Sequence, residues 1–124
     1  MPAPESLSRT LPGLPSAVPE ARALAREFLG GSPRSEDAEL IVSELATNAV
    51  LHAHGEFALA LELAPGSLRI EVTDRGAPVR SQPRIEPGEG GRGLVIVDAL
   101  ADDWGHEQHT DRARWWAELW TEES

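Results

Sequence analysis

The segment that most restricts the fold of this chain is an apolar, helix-like run at residues 39–53. Within it Glu44, Asn48 and His52 recur at every fourth position, so a helix places all three on one face. The neighbouring stripe is apolar, as expected of a helix that lies on a sheet; it consists of Ala38, Ile41, Val42, Leu45 and Ala49. A carboxylate and a carboxamide beside a buried stripe need water or a partner. The run therefore predicts a helix that borders a polar cavity.

A second informative segment is residues 67–74, where apolar and polar side chains alternate as they do in a half-buried strand. The segment ends in Asp74, which is followed by Arg75 and Gly76. Asp74 has the parity of the apolar side chains, so we predict that its carboxylate points towards the helix layer. An inward carboxylate needs a hydrogen-bond donor, so the segment predicts a bonded group or ligand at this end of the strand.

A third segment, residues 90–97, is a glycine-rich loop that opens a helix. Its backbone N–H groups and the helix dipole favour an anion, and Arg92 offers a charge-assisted contact. Each segment alone has a plainer interpretation. Glu44 and Asn48 would then form a solvated helix face, and the glycine loop would be a hinge with a solvated arginine.

Composition limits the classes of function. The chain has 124 residues, enough for one domain, and its 21 acidic against 11 basic residues argue against a nucleic acid or a membrane surface as partner. It has no cysteine, which excludes disulfides, thiolate zinc sites and cysteine nucleophiles, and no lysine, which excludes a P-loop. We find no secretory signal and no apolar run near the ~20 residues of a membrane helix. We therefore expect a cytoplasmic protein.

The remaining periodicities predict a strand, two helices, two strands, a lid, a helix and two strands. The predicted bounds are a disordered segment at 1–5, a domain at 6–120 with a lid at 75–91, a long helix with Ser35 as its N-cap, and a tail at 121–124. This order predicts an α+β two-layer sandwich with helices on one face of a mixed β-sheet. Trp116 and Trp120 share the parity opposite Trp115, which predicts an aromatic partner or dimer surface, unless the N-terminal segment covers it.

In this order and at these separations, the three segments resemble the N box, the Asp-x-Gly box and the glycine-lid box of the GHKL ATPase superfamily, which includes gyrase, histidine kinases and anti-sigma-factor kinases. The sequences of residues 43–50 and 91–101 are most similar to the small anti-sigma serine/threonine protein kinases. The resemblance covers roughly residues 6–120. It implies a histidine kinase-like ATPase fold that binds ATP or ADP with Mg²⁺.

The resemblance also implies a role for each matching residue. Glu44 would be the catalytic base, and Asn48 would be the Mg²⁺ ligand. The ATP-binding residues would be Asn48, His52, Asp74, Gly76, Gly91, Arg92, Gly93 and Leu94. The implied partners are a sigma factor and a STAS-type anti-sigma antagonist protein, with a homodimer as a further candidate assembly.

Two departures from the family pattern leave the function open. Leu51 stands where the family often has Arg or Lys, and residues 110–114 stand where it often has Gly-Lys-Thr. The first hypothesis is an anti-sigma factor that is also a serine/threonine protein kinase. The second is a nucleotide-binding or degenerate protein-interaction module without kinase activity. The third is a structural α+β domain.

Overall fold

The computed structural model describes residues 5–52, 55–74 and 91–121, with residues 91–93 described by their backbone alone. The elements are β1 (Glu5–Leu11), α1 (Ala17–Leu29), α2 (Ser35–His52), β2 (Phe57–Ala64), β3 (Ser67–Asp74), α3 (Gly91–Leu100), β4 (Asp103–Gln108) and β5 (Ala113–Trp120). This is the predicted order. Glu5, the last residue of the predicted disordered segment, begins β1. The predicted lid lies outside the described residues except for Gly91, which begins α3.

The five strands form one sheet in the order β1-β2-β3-β5-β4. Every neighbouring pair in it is antiparallel. The predicted α+β two-layer sandwich is confirmed, whereas the prediction of a mixed sheet is wrong. The reason lies in the position of β5. Strands β3 and β4 run in the same direction, but β5 lies between them and pairs antiparallel with both.

The core lies between the helices and one face of the sheet. In the central strands alternate side chains are buried, as the period of two predicts. The buried apolar residues of the sheet are Leu11, Phe57, Leu59, Leu61, Leu68, Ile70, Val72, Ala113, Trp115, Ala117 and Leu119. The buried stripe of α2 consists of Ala38, Ile41, Val42, Leu45, Ala46 and Ala49, which includes every residue of the predicted stripe.

The opposite face of the sheet carries charged side chains. The Arg69 guanidinium donates to Glu71 at 2.8 Å and to Glu118 at 2.6 Å. It also lies 4.6 Å from the centroid of the Trp116 ring, which is a cation–π distance. Trp120 is 57% exposed. The predicted placement of Trp116 and Trp120 opposite Trp115 is confirmed, and one of the two indoles is covered by an arginine.

The start of α2 differs from the prediction. The backbone N–H of Ala38 donates to the carbonyl of Arg34 at 3.0 Å, so Arg34 is the N-cap and Ser35 is the first helical residue. The prediction of Ser35 as the N-cap is therefore wrong. Arg34 has φ 66°, the left-handed region that non-glycine residues seldom adopt.

The Arg34 side chain explains why this backbone conformation is tolerated. Its guanidinium donates to the Asp37 carboxylate at 3.3 Å and to the Asp102 carboxylate. It also donates to the carbonyls of Leu100, at 2.6 Å, and Trp120, at 3.3 Å. One side chain thus joins the start of α2, the end of α3 and the end of β5.

Candidate functional site

The predicted site residues lie near one end of the sheet. Helix α2 ends at His52, and β2 begins shortly afterwards at Phe57. The C-terminal half of α2 therefore lies near the end of the sheet where β2 begins. Phe57 pairs with Asp74, the last residue of β3. The polar residues of α2 and the aspartate of β3, distant in sequence, thus approach the same edge.

The N-terminus of α3 lies at this edge as well. Helix α3 is followed almost at once by β4, against which it packs, so the two run in opposite directions. The start of α3, with Gly91 and Gly93, is consequently at the level of Gln108, the last residue of β4. Gln108 pairs with Ala113, and Ala113 pairs with Asp74. A helix N-terminus and a buried carboxylate therefore lie at the same end of the fold.

Glu44 and Asn48 lie on the flank of α2 that faces away from α1. Helix α1 bonds to α2 through Arg26, whose Nε lies 3.0 Å from Glu39 Oε1. Asn48 is nine residues after Glu39, and a rotation of about 100° per residue places it about 180° around the helix. Helix α3 also packs against α2. Helix α1 contacts β1 and β2, whereas α3 contacts β4, the strand at the other edge of the sheet. Glu44 and Asn48 therefore lie towards the α2–α3 side, and both are half-buried.

The remaining predicted site residues differ in their surroundings. His52 is exposed at the last position of α2. Leu94 is half-buried and packs against the hydrophobic core. Gly91, Arg92 and Gly93 form the first turn of α3. Gly76 lies outside the described residues, as does the side chain of Arg92.

Asp74 is the strongest structural signal of a site. It is 6% exposed, and within the ranges that the structure describes it is the sole polar or charged residue in the buried class. The prediction that its carboxylate points towards the helix layer is confirmed. A buried carboxylate is costly unless it is bonded, which is why such a group marks a place where a donor is held.

His106, which was not among the predicted site residues, lies on the same face of the sheet as Asp74. His106 pairs with Trp115 in β5, and their rings stack with centroids 3.9 Å apart and planes inclined by 24°. Burial lowers the pKa of His106, while a hydrogen bond with Gln108 and the charge of Asp74 act in the opposite direction. The alternation of β4 predicts this inward position, because Trp104 and His106 have the same parity.

Within the described ranges, no three or more His, Cys, Asp or Glu side chains converge as a metal site would require. None of the described helices has the length and hydropathy of a membrane span.

The family described as histidine kinase-like ATPase domain matches residues 9–115. The chain therefore belongs to the histidine kinase-like ATPase domain family. The predicted relationship to the GHKL superfamily and its anti-sigma serine kinases is confirmed, and the family identity supports ATP as the ligand.

Two individual proteins are similar in sequence to this chain. The chain is similar to the serine-protein kinase RsbW of Oceanobacillus iheyensis, with 31% identity over 113 residues covering 70% of this chain and 72% of that protein. It is also similar to an uncharacterized protein of Streptomyces coelicolor, with 43% identity over 53 residues covering 40% of this chain and 50% of that protein. The similarity to RsbW thus extends over most of both chains.

Two solved structures share the fold. The RsbU and RsbW domains of Rv1364c from Mycobacterium tuberculosis match with a TM-score of 0.72 at 24% identity, covering 93% of this chain and 32% of that chain. The Acinetobacter baumannii histidine kinase AdeS matches with a TM-score of 0.54 at 16% identity, covering 90% of this chain and 67% of that chain. This chain therefore spans about a third of the Mycobacterium tuberculosis chain.

Proposed function

We propose that this chain is an ATP-binding regulatory protein that acts as an anti-sigma factor and as a serine/threonine protein kinase. Its substrate would be a STAS-type anti-sigma antagonist, and its second partner a sigma factor. The observation that carries the proposal is the arrangement at one end of the sheet, where the buried Asp74, the Glu44–Asn48 flank of α2 and the N-terminus of α3 lie. The similarity to a serine-protein kinase over most of both chains supports it.

Asp74 is the proposed adenine anchor. Its carboxylate is buried at the end of β3, so it accepts a hydrogen bond in a place from which water is largely excluded. The adenine amino group donates such a bond. Guanine has a carbonyl at the equivalent position, which would leave two acceptors facing each other without a proton. The site is therefore expected to prefer adenine nucleotides.

Asn48 is the proposed Mg²⁺ ligand. Its side-chain oxygen is a hard donor, and Mg²⁺ prefers oxygen ligands while it retains several waters and bridges nucleotide phosphates. Asn48 is half-buried on the α2 flank turned away from α1, and this position suits a ligand that shares the ion with phosphate oxygens. When bound, the ion would neutralise charge on those oxygens. The backbone N–H groups at the start of α3 would bind the same oxygens.

Glu44 is the proposed general base. It lies one helical turn before Asn48 on the same flank of α2, so it is close to the proposed phosphate position. In the reaction, the substrate hydroxyl oxygen bonds to the γ-phosphorus while the bond from that phosphorus to the β,γ-bridging oxygen breaks. Glu44 accepts the hydroxyl proton, and ADP leaves. General base catalysis of this kind contributes ~10²- to 10⁴-fold in rate.

The decisive experiment is phosphoryl transfer from labelled ATP to candidate antagonist proteins, combined with calorimetric measurement of Mg-ATP binding. Glu44→Ala should abolish transfer and leave ATP affinity nearly unchanged. Asp74→Asn should remove binding itself. Glu36→Ala, which changes an exposed acid in the first turn of the same helix, is the control and should change neither quantity.

The second candidate function is a nucleotide-binding or degenerate interaction module without kinase activity. Leu51 favours it, because this residue is 70% exposed at a place where the family often has a basic side chain. Tight nucleotide binding without transfer to any antagonist would support this candidate over the kinase. We also propose a cytoplasmic location. A homodimer is a further proposal, supported by the exposed indole of Trp120 on the open face of the sheet.

A further inference from the structure

Helix α3 is attached to the rest of the fold along one narrow stripe. Among its residues 94–100, whose side chains the structure describes, Val97 alone is buried, while Leu94 and Leu100 are half-buried and pack against the core. Val95 is 64% exposed. The helix contacts α2 and, to a smaller extent, β4. Packing therefore holds α3 less firmly than α2, which has a long buried stripe and contacts α1, α3, β3 and β5.

Arg34 fixes the C-terminal end of α3. Its Nη2 donates at 2.6 Å to the carbonyl of Leu100, the last residue of the helix, and its Nη1 donates to the Asp102 carboxylate in the turn that follows. The last carbonyls of a helix have no partner within it, and the negative end of the helix dipole favours a cation. Asp102 also accepts a hydrogen bond from the backbone N–H of Trp120 at 2.7 Å. The end of α3 is thus bound to the start of α2 and to the end of β5.

The backbone of Arg34 indicates that its side chain is what matters at this position. A φ of 66° is unfavourable for a residue with a Cβ, and such conformations persist where the surrounding contacts determine them. Glycine would adopt this φ freely, but it would leave the Leu100 carbonyl without this donor. The guanidinium therefore supplies contacts that the residue best suited to the backbone could not supply.

The opposite end of α3 carries the proposed phosphate contacts. The helix has 10 residues, and at 1.5 Å per residue its length is about 15 Å. Because a helix moves as a rod, a tilt of about 4° around the Leu100 end displaces its first turn by about 1 Å. Hydrogen bonds from backbone N–H groups to oxygen are formed near about 2.9 Å and weaken with such a displacement. The contacts that hold Leu100 therefore also determine where the first turn presents its N–H groups.

We propose that Arg34 is a positioning residue of the nucleotide site, because its guanidinium fixes one end of α3 and thereby the place of the N–H groups that bind phosphate oxygens at the other end. This proposal rests on the proposed function, since it requires phosphates at the start of α3. Asp74 is held independently, by the pairing of β3 with β2 and β5. Loss of the guanidinium should therefore weaken the binding of phosphates and spare the binding of the base.

The test compares two ligands that share the base and differ in their phosphates. Mg-ADP affinity is measured by calorimetry, and adenosine affinity by NMR titration, which detects weak binding. The proteins are the wild type, Arg34→Gly, Arg34→Ala and Arg34→Lys. One control, Arg26→Ala, removes an arginine whose ion pair with Glu39 joins α1 to α2. The other, Ile70→Val, lowers the stability by removing one methylene from the buried core of β3.

We expect Arg34→Gly and Arg34→Ala to weaken Mg-ADP binding by the same factor, about 3- to 10-fold, which is the range of one weakened hydrogen bond. Adenosine affinity should stay within about 2-fold of the wild type in every variant, as for distant, independent sites. The two variants differ in backbone strain and hence in stability, so an equal loss reports on the missing guanidinium. Arg34→Lys should be intermediate, because an ammonium donates without the planar fork of arginine.

Two further measurements accompany the titrations. Thermal unfolding of each variant shows that it is folded at the temperature of the binding experiments. Amide hydrogen exchange along α3 should be faster in Arg34→Gly and Arg34→Ala than in the wild type, while exchange along α2 stays unchanged. Both controls should keep the wild-type ratio of Mg-ADP to adenosine affinity.

Other outcomes overturn the proposal in distinguishable ways. If the wild type binds Mg-ADP, Asp74→Asn abolishes binding and Arg34→Gly keeps the wild-type affinity, the nucleotide site stands and the role of Arg34 is wrong. If Arg34→Gly weakens Mg-ADP and adenosine by the same factor, Arg34 supports the fold as a whole and does not position α3. If the wild type binds no nucleotide, or binds Mg-ADP no more tightly than adenosine, both proposals fail.

Discussion

Arg34 offers the sharpest test of how this fold is held together. We predict that Arg34→Ala destabilises the protein by about 2 kcal/mol, because four acceptors, three of them on α2, α3 and β5 and one in the turn between α3 and β4, lose their donor at once. The Leu100 carbonyl, at 2.6 Å and partly buried, accounts for about 1 kcal/mol. The carboxylates of Asp37 and Asp102 are 39% and 32% exposed, so solvent screening limits each to about 0.5 kcal/mol.

A second substitution at the same position separates the side chain from the backbone. Arg34→Gly removes the same hydrogen bonds, but glycine adopts φ 66° without the steric cost that alanine retains. Since that cost is about 1 kcal/mol, Arg34→Gly should be more stable than Arg34→Ala by about this amount. Arg26→Ala is the control, because its ion pair with Glu39 has an arginine that is 65% exposed. It should cost less than about 1 kcal/mol.

The measurements are urea unfolding at pH 7 and thermal melting. In a chain of this size, about 2 kcal/mol corresponds to a decrease in Tm of roughly 6–10 °C. The reasoning about the side chain is refuted if Arg34→Ala is as stable as Arg26→Ala. The reasoning about the backbone is refuted separately if Arg34→Gly is less stable than Arg34→Ala.

Two further predictions concern other parts of the fold. Gly13→Ala should lower the free energy of unfolding in urea by about 1–3 kcal/mol, because a Cβ at Gly13 would lie 2.2 Å from the Gly55 carbonyl oxygen. Gly31→Ala is the control and should be within about 0.5 kcal/mol of the wild type, because a Cβ at Gly31 would have no atom within 4 Å. Equal effects of the two substitutions would contradict the close approach of Gly13 to Gly55. Asp102→Asn should lower stability at neutral pH and reduce the loss of stability between pH 5 and 3. The backbone N–H of Trp120, and then Arg34, lower the pKa of Asp102 below 3.8, so its contribution is present above that value and is lost as the pH falls through the folded-state pKa. An unchanged acid limb of the curve of unfolding free energy against pH would contradict this assignment.

The periodic parts of the fold were predictable from sequence because burial repeats with the geometry of each element. The alternation in residues 67–74 placed Asp74 inward, and the structure buries it. The apolar stripe of α2 was likewise predicted, with Ala46 as the one buried residue that the prediction did not include. These predictions needed only the sequence of a single element, because the position of a side chain on a helix or strand follows from its number along that element.

The missed features depend on contacts between elements. Ser35 has the residue type of an N-cap, but Arg34 takes that position because its side chain finds acceptors at the ends of α3 and β5. His106 stacks on Trp115 because β5 pairs with β4 and brings the indole beside its ring. The sequence pattern within one helix or strand does not indicate which other elements it will contact. The antiparallel sheet was missed for the same reason, since it depends on where β5 inserts.

The insertion of β5 also affects when the site is complete during synthesis. Glu44, Asn48 and Asp74 leave the ribosome well before residues 113–120, which form the strand between β3 and β4. Until that strand pairs, β4 has no neighbour in the sheet, and α3 can pack against α2 but not against an attached β4. A nascent chain lacking β5 would expose the unpaired edge of β3 until the last strand closes the gap.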